Sequence, residues 1–324
     1  MKVLITGGAG FLGQQLIAKL IEKKSLNLGH GEQSISEIVC FDQGLGAISN
    51  SLIRNVAGSI SDPAQVAALV NKDTAVVIHL AAVVSGTAEA NFDLGMSVNL
   101  DGTRYLLEAC RAVGSQPRLL FSSSIAVFGG ALPAVVTDAT AATPQGSYGV
   151  QKLLGEQLVQ DYSRKGFIDG RAMRVPTVVV RPGLPNGAAS GFASGIIREP
   201  LNGIDAVLPV DPKTQMWIAS PRAVVGMFLH ALELAPVAWG WSRIINLPGL
   251  VASMQEEMAA LKAVGGAAAV ARVRYQPDEK IERLVSTWAA HFDTARARDM
   301  GFVADTDFES IVRAYVADNG IKVS

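Results

Sequence analysis

Residues 1–20 read MKVLITGGAGFLGQQLIAKL: an apolar run breaks into three spaced glycines and then resumes with a different period. KVLIT has the nearly unbroken apolar character of a strand covered on both faces, and the segment from Phe11 has the spacing of an amphipathic helix. Between them Gly7, Gly10 and Gly13 form G-x-x-G-x-x-G. Glycine at the first position permits a tight turn, at the second it lets a pyrophosphate approach the backbone, and at the third it lets helix pack closely on strand. The helix N-terminus then turns free N–H groups and the positive end of its dipole toward such a ligand. Glycines also occur in strand-to-helix turns that bind nothing, so the triplet needs a second signal. Asp42 supplies it by closing the second strand, EIVCFD. A carboxylate there can accept both ribose hydroxyls of an adenosine and repels a 2′-phosphate, which favours NAD over NADP.

The same alternation continues. EIVCFD, AVVIHLAA, RLLFSSS and PTVVVRPG read as strands, and NLDGTRYLLEACRAVG and YGVQKLLGEQLVQDYSR as helices. Apolar strands separated by amphipathic helices predict an α/β fold with a doubly wound parallel sheet, a Rossmann arrangement. The expected division is an NAD-binding domain over 1–180, with a return helix at about 220–235, and a smaller C-terminal substrate-binding lobe formed mainly by 181–324. Ser25 to Glu37 is a polar insertion expected to be a surface loop. After Arg181, GLPNGAASGFASG shows neither period and reads as a long functional loop. Ser220 and Pro221 suit the N-cap and first position of a helix over SPRAVVGMFLHALELA. A strand RIINLPG, an Ala-rich helix around MQEEMAALKAVGG that stops near Gly265, and a last strand RVRYQP follow.

Of the 324 residues 49% are apolar and 18% charged, with a formal net charge of −1. That balance argues against nucleic acid or an anionic membrane as partner, and no apolar run approaches the ~20 residues that cross a bilayer. Cys40 and Cys110 lie far apart without redox spacing, and His30, His79, His230 and His291 share no ligand spacing, so no metal site is expected. Met1-Lys2 leads straight into a strand rather than a secretion signal, and the expectation is a cytoplasmic protein. His79 reads as a satisfied strand residue, Asp278, Glu279, Glu282 and Arg283 as a solvated helix face, and Trp239 and Trp241 as packing beneath the lobe.

Tyr148 and Lys152 stand four apart on a predicted helix and share a face. An ammonium there favours the phenolate and lowers a pKa that starts near ~10, toward the range of a general base. Ser124, at the end of RLLFSSS, is placed to hydrogen-bond the reacting oxygen, because open α/β sheets hold ligands at that edge. A Tyr–Lys pair alone is usually an ordinary amphipathic pair; the serine run and the cofactor turn upstream favour chemistry.

With G-G-A-G-F-L-G at Gly7 to Gly13, Asp42, HLAA at His79 to Ala82, FSSSIAVFG at Phe121 to Gly129, Y-G-V-Q-K at Tyr148 to Lys152 and D-T-A-R-A-R-D-M-G-F at Asp293 to Phe302, the chain resembles the extended short-chain dehydrogenase/reductases. These include nucleotide-sugar epimerases and dehydratases. The resemblance implies that Lys152 also holds the nicotinamide ribose and that Phe11, Leu12 and Ser122 adjoin the cofactor. It further implies that Ile60, Leu80, Ala81 and Ala82 line the adenine and ribose path, that Pro182 walls the carboxamide side, and that Asn99 positions the active-site helix. Asn99 serves equally well as an N-cap for DGTRYLL. Family members often pair through two helices, which implies a homodimer formed through Gly102 to Val113 and Val150 to Tyr162.

Nucleotide-sugar enzymes of that family tend to carry R-x-x-N after the sixth strand and V-D-D before the next helix; here Arg181-Pro182-Gly183-Leu184 and Ala219-Ser220-Pro221-Arg222 stand instead. The loop from Arg181 to Gly203 looks like that of a branch that oxidises the C2 hydroxyl of a four-carbon sugar acid, D-erythronate, with NAD. A small, hydroxyl-rich acid requires several donors. Arg198 is the expected carboxylate partner, with Asn186, Ser190 and Ser85 on hydroxyls; a surface pair of Arg198 with Glu199 is the competing reading. Two other functions stay open: a nucleotide-sugar epimerase or dehydratase that recycles NAD internally, and a non-catalytic dinucleotide-binding protein.

Overall fold

The computed structural model describes residues 1–184 and 188–323. Seven strands form its main sheet: β1 (Lys2–Thr6), β2 (Glu37–Asp42), β3 (Ile53–Ala57), β4 (Thr74–His79), β5 (Arg118–Ser124), β6 (Asp169–Val175) and β7 (Ile244–Asn246). The helices that matter to the argument are α1 (Phe11–Lys23), α2 (Pro63–Leu69), α3 (Gly102–Val113), α4 (Ser147–Arg164), α5 (Gly191–Leu201), α6 (Pro221–Glu233), α7 (Met254–Val270) and α8 (Phe308–Asp318). The strands are all parallel, in the order β3-β2-β1-β4-β5-β6-β7. The chain runs outward from β1 to β3 and then returns to β4 on the other side of β1, so the order reverses there. Open α/β sheets hold their ligands at the C-terminal ends of the strands beside such a reversal.

Both faces of the sheet are covered, and β1 shows why its sequence is continuously apolar. Val3 and Ile5 join a core with Leu16, Ile17 and Leu20 of α1 and Phe228 and Leu232 of α6. Leu4 faces the opposite way, into a core with Val66 of α2, Leu106 and Leu107 of α3 and Val159 of α4. A further core gathers Ile196, Ile197, Leu261, Ile311 and Val312 from α5, α7 and α8 with Ile218 and Ala252. Those last two belong to a three-stranded sheet of Thr177–Val178, Gln215–Ala219 and Leu250–Ser253. Ser220 caps α6 as expected, its hydroxyl accepting from Ala223 N, with Pro221 in the first turn.

Several segments differ from the sequence-based expectation. PTVVVRPG is not the sixth strand: β6 is the preceding DGRAMRV, and only Thr177–Val178 of the expected segment is extended, paired with Gln215–Ala219. Two arginines inside β6 disguise it. Arg171 is fully buried, 2.9 Å from Asp169 and bonded to the carbonyls of Ala231, Leu232 and Leu234, while Arg174 forks onto Glu156 at 2.9 and 2.8 Å. β3, IRNVA, is the edge strand and leaves Arg54 and Asn55 exposed, so it lacks the apolar character of its neighbours. The 25–37 insertion is an antiparallel hairpin of Ser25–Asn27 with Glu32–Ser34 rather than a loop, held down because Leu26 and Ile35 enter the core beside α1. Helix α7 passes Gly265, kinks at Gly266 (φ 75°) and continues to Val270. Trp239 is buried against Phe302, whereas Trp241 is exposed. Cys40 and Cys110 are buried free thiols. Among the described residues no helix is long and apolar enough to cross a membrane.

Candidate active site

The glycine turn between β1 and α1 shows three different demands. Gly7 has φ +72°, and a Cβ on it would stand 2.6 Å from Ala81 N, so the strand end at Leu80 and Ala81 packs directly on the turn. A Cβ on Gly13 would lie 2.5 Å from Gly7 O, which lets the first turn of α1 seat against the strand. Gly10 is different: its Cβ would meet only Gly7 O, at 3.3 Å. Protein packing therefore leaves the space above Gly10 for something else, and the N-cap it provides to α1 makes no side-chain bond. These features fit a pyrophosphate. Asp42 Oδ2 accepts from Ala9 N at 3.0 Å and Oδ1 from Gln43 N at 2.7 Å, so its carboxylate is fixed against the turn with acceptor capacity to spare. Ile60 is buried beneath Gly102, and Phe11, Leu12, Leu80, Ala81 and Ala82 are half-buried along the same edge. The residues present fit NAD.

Tyr148 occupies the first turn of α4 and Lys152 the next, and they do share a face: Lys152 Nζ lies 5.6 Å from the centre of the Tyr148 ring. The ammonium donates to Ser122 O at 2.7 Å and also sits 4.9 Å from the Phe121 ring. Ser124 Oγ accepts from Ala126 N at 3.1 Å, and its hydroxyl favours the ionised form of the Tyr148 phenol.

The electrostatics correct the expectation drawn from helical spacing. Burial pushes the Tyr148 phenol up to about 12, and the groups that oppose this are the Arg181 guanidinium and the Ser124 hydroxyl, not Lys152. Lys152 is itself pushed down to about 8 by burial, against the pull of Glu156 one turn further along α4. The cause is placement: the ammonium points to a carbonyl and to ring faces, and desolvation in the packed site outweighs it. Glu156 escapes a reading from spacing alone, although its position four residues after Lys152 is a signal. It is fully buried, forks with Arg174 and accepts from Ser123 Oγ at 2.5 Å.

Asn99 is not an N-cap. It lies in a π-helical turn, Met96–Asp101, where its amide donates to Gln151 Oε1 at 2.8 Å and Val83 O at 3.1 Å and accepts from Val83 N at 2.9 Å. Gln151 precedes Lys152, so Asn99 grips the helix that carries Tyr148 and Lys152. Below it, His79 bonds Thr6 Oγ1 at 2.6 Å and Thr103 Oγ1 at 3.0 Å, and Thr103 donates to Asn99 O at 2.6 Å.

The loop after Arg181 is tied to the same place. Ser85 Oγ accepts from Ala189 N at 3.3 Å, and Ser85 opens a short helix, Ser85–Ala90, whose Glu89 accepts from Ser147 N at 2.9 Å beside Tyr148. Arg181 donates from Nε to Val178 O at 2.9 Å and from Nη2 to Ser190 Oγ at 2.7 Å, and its backbone N donates to Ser194 Oγ at 3.1 Å. Pro182 is half-buried at the start of the loop. Arg198, expected to meet a substrate carboxylate, instead pairs with Glu199 at 2.6 Å and donates to Arg181 O at 2.9 Å. That pair is not at the surface: Arg198 is only 8% exposed, because its side chain turns inward to brace Arg181. Asn186 lies outside the described residues. Like Glu156, Arg181 was not singled out by sequence reasoning, although it bonds Ser190 and acts on the Tyr148 phenol; its signal was its place at the head of the altered R-x-x-N.

A family model described as the NAD dependent epimerase/dehydratase family matches residues 3–218. A curated relative from Cupriavidus necator named D-erythronate dehydrogenase is 51% identical over 325 residues, covering 99% of this chain and 99% of its own. One of the same name from Haemophilus influenzae is 39% identical, covering 98% of this chain and 99% of its own. A crystal structure described as a nucleoside-diphosphate-sugar epimerase from Agrobacterium tumefaciens superposes with a TM-score of 0.93 at 42% identity, covering 100% of this chain and 96% of that one.

Proposed function

Since the chain belongs to the NAD dependent epimerase/dehydratase family, we propose that it is an NAD-dependent dehydrogenase that oxidises the C2 hydroxyl of D-erythronate to 2-dehydro-D-erythronate. The observation that carries this reading is the 51% identity to a D-erythronate dehydrogenase across 99% of both chains. The assembled Ser124, Tyr148 and Lys152 give it a chemical means.

Bound NAD supplies the hydride acceptor. Gly10 and the N-terminus of α1 hold the pyrophosphate, and Asp42 accepts from the adenosine ribose. Ile60 and Leu80 to Ala82 line the path, Lys152 reaches the nicotinamide ribose, and Pro182 walls the carboxamide side. Ser124 Oγ orients the substrate hydroxyl, and Tyr148 Oη takes its proton. A phenol that burial holds at about 12 is protonated at neutral pH, so it must first lose its proton to solvent, a loss that the Arg181 guanidinium and the Ser124 hydroxyl favour, before it acts as a base. Ser85 and Ser190, brought together by the loop, supply hydroxyl contacts. In this reading 1–180, with α6 as return helix, hold the cofactor and 181–324 mainly the substrate. The protein is a cytoplasmic homodimer paired through α3 and α4, supported by Val150 and Leu154, each 41% exposed on α4.

The test is NADH formation at 340 nm from NAD and D-erythronate. Stoichiometric accumulation is expected, with the Tyr148→Phe variant slower by roughly 10²- to 10⁴-fold and its NAD affinity unchanged. Epimerisation of a nucleotide sugar without net NADH would refute the proposal.

A further inference from the structure

Six arginines that are buried or half-buried, namely Arg118, Arg171, Arg174, Arg198, Arg243 and Arg296, each reach a carboxylate within 3.4 Å. Arg181 is half-buried as well, yet among the described residues no carboxylate pairs with it. A guanidinium withdrawn from water without an anion is costly unless something supplies one. Its geometry is fixed in advance. Nε and one N–H of Nη2 are held by Val178 O and Ser190 Oγ, and its backbone is clamped at both ends, by Ser194 Oγ on the N–H and by Arg198 on the carbonyl. A guanidinium has five N–H donors, so the described bonds leave three for a ligand.

We infer that Arg181, aimed by Ser190, is the residue that binds the C1 carboxylate of the sugar acid; this rests on the dehydrogenase reading above. The chemistry of the substrate decides between Arg181 and Arg198. In a 2-hydroxy acid the carboxylate is bonded to the carbon that reacts, so its partner must stand beside the general base. The Tyr148 phenol feels Arg181 and not Arg198, and Arg181 in turn feels the phenol. Arg198 is already neutralised by Glu199 and acts on the ligand only through the backbone it braces. The guanidinium therefore has two roles in one place: it recognises the acid, and it is the cation nearest in effect to the phenol that must ionise. A neutral alditol with the same hydroxyls finds no counterpart for its terminal CH₂OH and leaves the guanidinium without an anion.

The test is calorimetric titration of the NADH-bound protein, in which turnover cannot occur, with D-erythronate and separately with erythritol. The wild type is expected to bind the acid at least tenfold more tightly than the polyol. Arg181→Met and Arg181→Gln are expected to reduce that preference roughly 10- to 100-fold, leaving NADH affinity unchanged. Arg181→Lys is expected to fall between them and wild type, and it alone carries the test should the other two fail to fold. An undiminished preference in the folded variants overturns the assignment, whatever the enzyme oxidises. A wild type that shows the preference, loses it in the variants, and makes no NADH from erythronate and NAD refutes the dehydrogenase reading while the carboxylate site stands. A wild type with no preference refutes the carboxylate site, and the 340 nm assay then decides the activity separately.

Discussion

Acidification from pH 7 to pH 5 is expected to remove about 2 kcal/mol of stability through a single side chain, His79. The ring is 2% exposed at the end of β4. Its protonation state follows from its neighbours. Thr103 Oγ1 donates its only proton to Asn99 O at 2.6 Å, so it can only accept from His79 Nε2, at 3.0 Å. Nε2 therefore carries the hydrogen, and Nδ1 accepts from Thr6 Oγ1 at 2.6 Å. A second proton on Nδ1 would force the Thr6 hydroxyl to turn from donor to acceptor, charge a ring withdrawn from solvent, and oppose the nearby Lys152 ammonium. Burial first, and Lys152 second, accordingly pull the imidazole from its ordinary 6.5 down to about 3. Because the folded-state value is the lower one, the unfolded chain takes the proton first. The contribution is whole above about pH 6.5 and is lost as pH falls from there toward 3. With one pH unit worth about 1.4 kcal/mol, the loss is about 2 kcal/mol by pH 5 and about 4 kcal/mol by pH 3. Urea unfolding at pH 7, 6 and 5 on the wild type and on His79→Gln measures it, since carboxylates elsewhere titrate alike in both proteins and cancel in the difference. The variant should be weaker at pH 7, having lost buried hydrogen bonds, but should lose about 2 kcal/mol less between pH 7 and pH 5. Parallel pH dependences in the two proteins would refute the reasoning.

Two further outcomes follow from the site. Glu156→Gln leaves Arg174 buried without its anion and removes the group that supports the Lys152 charge, so a loss of about 3–5 kcal/mol in urea unfolding is expected, with the Lys152 ammonium titrating below about 8. An unchanged unfolding midpoint would contradict it. Gly7→Ala and Gly10→Ala should part company. The first meets backbone at 2.6 Å in a left-handed conformation and should lower the melting temperature by several degrees. The second meets only Gly7 O, at 3.3 Å, and should leave melting nearly unchanged while weakening NAD binding at least tenfold by fluorescence titration.

Where a residue's role is set by near neighbours in the chain, it was legible. The strand of β1 and the period of α1 reveal themselves because each apolar position faces a core that the pattern already implies, and the three glycines because each relieves a contact within the turn. The cap at Ser220 is legible for the same reason. Spacing also shows that Tyr148 and Lys152 share a face. It does not show the balance of charge there, because desolvation comes from elements packed from elsewhere, and the opposing cation, Arg181, is 33 residues beyond the phenol.

Charged residues make the limit general. An arginine reads as surface until its anion is known, and in this fold the anion is often distant. Arg174 within β6 finds Glu156 on α4, and Arg171 finds the carbonyls that end α6, so a buried strand passes for a polar segment. Arg198 and Arg181 are the same problem at the site. The chain places Arg198 next to Glu199 and on a loop suited to an acid, which makes it the natural choice from sequence, yet that very neighbour satisfies it once the side chain turns inward. Arg181 has no such neighbour, and only the assembled fold shows that it alone of the buried or half-buried arginines lacks an anion among the described residues. A cation that the protein has already paired is spent on holding the fold together; the one it withdraws from water and leaves without a carboxylate is the one available to select a ligand.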